Sequence, residues 1–289
     1  MVFTHKLLKH NFAFFVGPGF YPMSNAGGKM RGTWNPTRRN KNIGTKKSGH
    51  GRNNKMVIPK RFRDSRAFWE HLNGYVATTR IVYENEINFF VEPTVGNHKY
   101  HCSIDDIAYL LSFVPEEDID ILDLIVFRQP KNKEQIISPA WGRIDFCMDI
   151  GKYFYTAIII EAIDINEVIY WDKSLSPSKA TELDRLKQDG HYITEDNREY
   201  KILCCSDSVR NTQLYRTLFH EIGHWVQWKN IVLVPDGSAD DYYRIPESER
   251  EVFADKYSDR LCEKLLNEGI IPFDRKFCPS DNKIHAYFA

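Results

Sequence analysis

Beyond residue 58 the chain alternates short apolar runs bounded by turn residues with longer stretches in which apolar positions recur at helical spacing. Residues 87–91, Ile87-Asn88-Phe89-Phe90-Val91, predict a strand. Residues 144–150 and 153–162 predict two more, joined through Asp149-Ile150-Gly151-Lys152 as an antiparallel hairpin, and 168–171 and 200–205 predict short strands. Residues 119–127 are apolar and strand-like toward their end. Helices are predicted over 66–72, over 103–113 with Ser103 at the cap, and after Ser176-Pro177, where proline opens a helix that Gly190 closes. A helix over 209–228 and a last long one over 249–267, stopped by Gly269, complete the series. Strands come first and long helices last, which is the order of an α+β fold with a small mixed or antiparallel sheet and a helical carboxyl-terminal part. No internal repeat interrupts it.

With 289 residues and 42% hydrophobic content the chain can bury a sizeable core. No apolar stretch is long enough to span a membrane. The apolar patch Phe12-Ala13-Phe14-Phe15-Val16 is too short for a secretory signal and lacks a small-residue cleavage pattern. Six cysteines, at 102, 147, 204, 205, 262 and 278, show no C-x-x-C pair, and the expectation is reduced thiols in a cytoplasmic protein.

The net charge of zero hides a strong asymmetry. Twelve Lys or Arg fall within residues 1–60, and the first acid is Asp64, so the front of the chain carries +12 and the rest −12. Residues 24–56 are rich in Gly, Asn, Lys and Arg and poor in apolar residues, as a flexible cationic tail is. The expected organisation is a basic tail over 1–57 and one domain over 58–289, with room for a separate subdomain over 58–135. Residues 1–60 are a candidate contact for nucleic-acid phosphates; the plainer reading is a solvated tail docking on the acidic remainder.

The densest chemistry lies in His220-Glu221-Ile222-Gly223-His224. On a helix, positions i and i+4 are stacked neighbours, so both imidazoles can close on one metal ion while Glu221 projects beside it. Zinc held by three protein ligands keeps a position for water and lowers the pKa of that water to about 7, within reach of a carboxylate base. Such a pentad arises by chance in roughly 1 in 100 chains of this size. The apolar flanks Leu218, Ile222, Trp225 and Val226 suit a helix buried behind a cleft better than an accidental match on a charged face.

The third ligand is expected downstream in Glu251-Val252-Phe253-Ala254-Asp255. Glu251 is the candidate, because Asp255 lies one turn beyond it, where it could accept the free ring N–H of a ligating histidine. Ser248-Glu249-Arg250-Glu251 also fits a capping box, in which Glu251 would bind no metal, and Glu247 and Glu249 are competing carboxylates. Residues His220, Glu221, His224, Glu251, Ala254 and Asp255 together resemble the signature of the gluzincin metallopeptidases, and the resemblance covers about residues 205–268. It is similar in layout to the ImmA/IrrE-type regulatory peptidases and to the zincin domain of ArdC-type antirestriction proteins. The resemblance implies a zincin-like fold, a Zn²⁺ cofactor, Glu221 as general base and a peptide or protein substrate.

Candidate oxyanion donors are Tyr242, Tyr243 and Arg244, between the two helices, and His285 and Tyr287 near the carboxyl end. His98, His101 and Cys102 read as core or surface residues before they read as a second metal site, and Trp225 and Trp228 as packing. One strand within 144–171 is the candidate edge for extended substrate. The expected function is zinc-dependent peptide hydrolysis; the alternative is a nucleic-acid-binding protein with a structural or vestigial zinc site.

Overall fold

A computed structural model describes residues 71–131, 140–150, 153–277 and 284–289. The basic tail over 1–57 and most of the helix expected over 66–72 lie outside the described residues. Contacts divide the chain at Asp64, and everything below belongs to Ser65–Ala289.

The main sheet contains β1 (Val76–Val82), β2 (Asn85–Val91), β3 (Leu124–Arg128), β4 (Gly142–Ile150) and β5 (Tyr153–Glu161), in the order β1-β2-β3-β5-β4. Strands β2, β3 and β5 run parallel, while β1 and β4 pair antiparallel at the two edges. The hairpin expected over 144–162 is formed by β4 and β5. Because β1, β2 and β3 hydrogen-bond into the same sheet, the described part of 58–135 shares its core with the residues that follow.

Strand β3 is buried at every position, and Phe89, Phe90 and Val91 of β2 and residues 157–160 of β5 beside it are buried and apolar without alternation, as strands covered on both faces must be. Ile125, Phe127, Ile158 and Ile160 point to one face and meet the helices; Leu124, Val126, Ala157 and Ile159 point to the other. The parallel step from β2 to β3 is bridged by α1 (Ile104–Leu111) and α2 (Glu116–Ile119). Ser103 and Asp106 close a capping box on α1, as the sequence predicts.

A second, antiparallel sheet orders β6 (Ile169–Asp172), β8 (Glu199–Leu203) and β7 (Tyr192–Glu195) as β6-β8-β7. Helix α3 (Pro177–Gln188), capped by Ser176, buries Leu183 and Leu186 against Ile202 of this sheet.

The predicted 209–228 helix is longer and not uniform. Helix α4 (Ser206–Asn211) runs through a π-helical stretch, Thr212–Thr217, into α5 (Leu218–Val232). Asp106, fully buried on α1, accepts hydrogen bonds from Arg210 Nη2 and Nε at 2.9 and 3.0 Å and from the Lys276 N–H at 2.9 Å, which fixes where this helical run starts. Helices α6 (Ala239–Arg244) and α7 (Glu247–Asn267) follow. The architecture is α+β. Among the described residues no helix is long and apolar enough to cross a membrane.

Candidate metal centre

His220 and His224 lie one turn apart on α5, a helix whose Leu218, Phe219, Ile222 and Trp225 are buried in the core, so the imidazoles emerge on its opposite side. Their Nε2 atoms are 3.0 Å apart. Glu251, on α7, brings one carboxylate oxygen to 3.2 Å from His220 Nε2 and the other to 3.4 Å from His224 Nε2. Ligand atoms about 2.0–2.1 Å from one tetrahedral zinc ion are about 3.3 Å apart; the two imidazoles meet that spacing, and the carboxylate spans them through both of its oxygens, with one atom from each residue within 4.8 Å of the others. Among the described residues this is the one group of three such side chains able to share a metal. The Glu251 side chain is 50% exposed, so the cluster faces solvent on that side.

The capping-box alternative for Glu251 fails. Helix α7 begins at Glu247 behind Pro246, without a side-chain cap, so Ser248 and Glu251 both lie inside the helix. Proline at the helix entrance sets the start two residues earlier than the sequence pattern implies.

Asp255 Oδ1 is 3.0 Å from His220 Nδ1. If Nδ1–H donates there, Nε2 keeps a lone pair facing the Glu251 carboxylate and the second imidazole, an arrangement that requires a cation between them. Without a metal that cation is a proton. Burial pulls the His220 imidazolium down, but hydrogen bonds to Asp255 and Glu251 and the charge of Glu221 outweigh it and push its pKa up to about 10. The same two histidines hold Glu251 well below the usual carboxylate range. Asp255 is held down by its bond to His220 and by Arg185.

Glu221 is buried beside the cluster, where burial pushes its carboxyl up against the pull of His220 and His224. The backbone of Ile144 on β4 adds a small pull in the same downward direction. Strand β4 reaches that position because Gly142 lacks a side chain: a Cβ there would sit 2.8 Å from Thr217 Cγ2 and 2.6 Å from the Ile159 carbonyl oxygen. Phe146 of β4 stacks on Trp228 at 5.2 Å, and Trp228 on Trp225 at 5.4 Å, so both tryptophans pack as expected.

Tyr242, a candidate oxyanion donor, turns its hydroxyl toward His224. Tyr242 is 1% exposed and its hydroxyl lies 3.5 Å from His224 Nδ1, on the far side of the ring from the cluster, where it braces the imidazole. The Arg250 guanidinium sits 5.0 Å above the Tyr242 ring. Tyr243 is 58% exposed and packs edge-on against Tyr242, and Arg244 pairs with Asp241. His285 lies elsewhere, edge-on to Phe277 in a cleft shared with Ser103 and Ile104. His101 and Cys102 do not converge: His101 faces Ser206 and the Ile163 carbonyl, and Cys102 faces Gln213.

In comparisons with known proteins, no family model matched the chain, and neither a curated protein nor a solved structure did. The site therefore rests on its own geometry. Three contributors escape the sequence: Ile144, which offers a backbone group; Tyr242, as a brace; and Arg185, which in the sequence looks like any exposed helical cation.

Proposed function

We propose that the chain is a zinc-dependent metallopeptidase of zincin-like fold in which His220, His224 and Glu251 hold the ion. The observation that carries the reading is the convergence of these three side chains beside a buried Glu221, with one side open to solvent. Structural zinc sites take four protein ligands and are closed, whereas hydrolytic ones take three and stay open. Zinc bound there would supply an electrophile for a peptide carbonyl and acidify a coordinated water.

The chain's own residues do the rest. Glu221 takes a proton from the attacking water and returns it to the departing amine, a role that its raised carboxyl suits. Asp255 and Tyr242 hold the two imidazole planes. Among the described residues strand β4 lies at an edge of the sheet, where an extended peptide would add as a further strand. Such an enzyme would work in the cytoplasm on a peptide or protein substrate.

The test is elemental analysis together with hydrolysis of an unfolded protein substrate. One zinc per chain is expected, lost in His220→Ala. Glu221→Gln is expected to keep the zinc and lose at least about a hundredfold in rate. Undiminished hydrolysis by Glu221→Gln would refute the role of Glu221.

The charge segregation supports a second reading, in which residues 1–60 bind nucleic acid. Deleting them should then abolish a salt-dependent affinity for DNA or RNA; a flat, weak response in the full chain excludes it.

A further inference from the structure

Asp255 Oδ1 has a second partner besides His220. Arg185, near the end of α3, places Nη1 3.3 Å from that oxygen and Nη2 3.1 Å from Asp259, one turn further along α7. The Arg185 side chain is half-buried, at 22% exposure, and Glu182 contributes a third nearby acid. Its own helix is tied down at the same end. The Arg185 carbonyl accepts Arg216 Nη2 at 3.1 Å, and Asp189 pairs with Arg216 at 2.7 Å and accepts the Thr212 hydroxyl at 2.8 Å. Arg216 and Thr212 belong to the π-helical stretch that leads into α5. Helix α3 is thus anchored to the run carrying the histidines while Arg185 reaches across to the helix carrying Glu251.

Resting on the zinc reading above, we infer that Arg185 is a positioning residue for the metal centre: it fixes the Asp255 carboxylate that orients His220. The geometry distinguishes this from a surface ion pair. A carboxylate with one donor can rotate about its terminal torsion, whereas one whose single oxygen is shared by a ring N–H and a guanidinium N–H is held at both. The small β6-β8-β7 sheet acquires a role, since it supports the helix from which Arg185 projects.

The test is zinc affinity of the metal-depleted full chain, measured by competition with a chromophoric chelator, alongside the visible spectrum of the cobalt-loaded protein. Removing an outer partner of a ligating histidine costs about 10–100-fold in metal affinity. Arg185→Met and Arg185→Gln, which differ in keeping a neutral donor, are expected to weaken zinc binding about tenfold and to shift the cobalt bands. Arg185→Lys, which keeps the charge, should stay within about threefold. Asp259→Asn removes the other arm of Arg185 without touching Asp255 and should leave affinity unchanged. The inference is overturned if both neutral variants bind zinc within about twofold of the parent, or if Asp259→Asn loses as much as they do, which would make Arg185 a strap between helices. A parent chain that takes up no zinc defeats the metal reading and this inference with it; a parent that binds, with unaffected Arg185 variants, defeats this inference alone.

Discussion

Gly223 and Ala254 meet where α5 crosses α7, so closely that a Cβ on Gly223 would lie 2.9 Å from Ala254 Cα and 3.1 Å from the Ala254 carbonyl oxygen. Gly223 lies between His220 and His224, and Glu251 and Asp255 flank Ala254. Near backbone contact of the helices is therefore what brings the carboxylates to the imidazoles. Any larger pair of residues at this crossing would hold the ligands apart before side-chain rotamers could compensate.

Gly223→Ala tests that relationship. In an open helix interior the change would stabilise by about 1 kcal/mol through propensity. Here it must move backbone, and overpacking of this kind costs about 1–3 kcal/mol. The expected result is lower stability in urea together with weaker zinc binding by chelator competition. A stabilised variant with normal affinity would show that the helices yield freely.

If the proposed zinc is bound, metal removal should destabilise the fold, because an ion held by His220, His224 and Glu251 would tie α5 to α7. Binding to the native state alone contributes about 4 kcal/mol when free zinc is a thousandfold above Kd. Chelator should lower the melting temperature of the parent chain and leave that of Glu251→Ala nearly unchanged. Zinc uptake at pH 7 should also release a proton, since the metal-free His220 pKa is pushed up to about 10; calorimetry in buffers of different ionisation enthalpy measures it.

Acid should weaken the fold through His191, whose pKa is lowered to about 4 by burial and by Arg216. The unfolded chain takes up this proton near pH 6.5, before the folded chain can. The contribution of His191 is thus complete above about pH 6.5 and lost as pH falls toward 4. Its size is on the order of 2 kcal/mol, less than the full shift because the ring retains some solvent contact. His191→Gln keeps a donor toward Thr212, which lies 2.9 Å from His191 Nε2, and should flatten the pH dependence of urea unfolding between pH 7 and 4.5.

Tyr242→Phe separates a brace from an oxyanion donor. Loss of a weak contact to His224 should reduce zinc affinity by a few fold and leave the rate per zinc-loaded chain within about threefold. A rate loss of about a hundredfold at full zinc occupancy would restore the oxyanion role.

The His220, His224 and Glu251 cluster was legible because it depends on helical periodicity, which is written locally: His220 with His224, and Glu251 with Asp255, each share a face. The capping box on α1 and the β4–β5 hairpin were local in the same way. Strand β1 escaped because Thr78, Thr79 and Arg80 dilute its apolar signal; alternate residues of this edge strand are only half-buried, and Val82 alone is fully buried. Helix α6 and strand β7 are too short to show a period, and tertiary contacts hold them. Arg185 and Ile144 act across long sequence separations, the first through a side chain of common type and the second through backbone, and neither leaves a mark in composition or spacing.

The buried Asp106 carboxylate grips Arg210 across 104 positions of chain. A peptide excised around residues 205–268 would contain every ligand and still lack the post to which their helix is moored. Grafting that segment into another protein should transplant the letters of the signature and leave the ion behind.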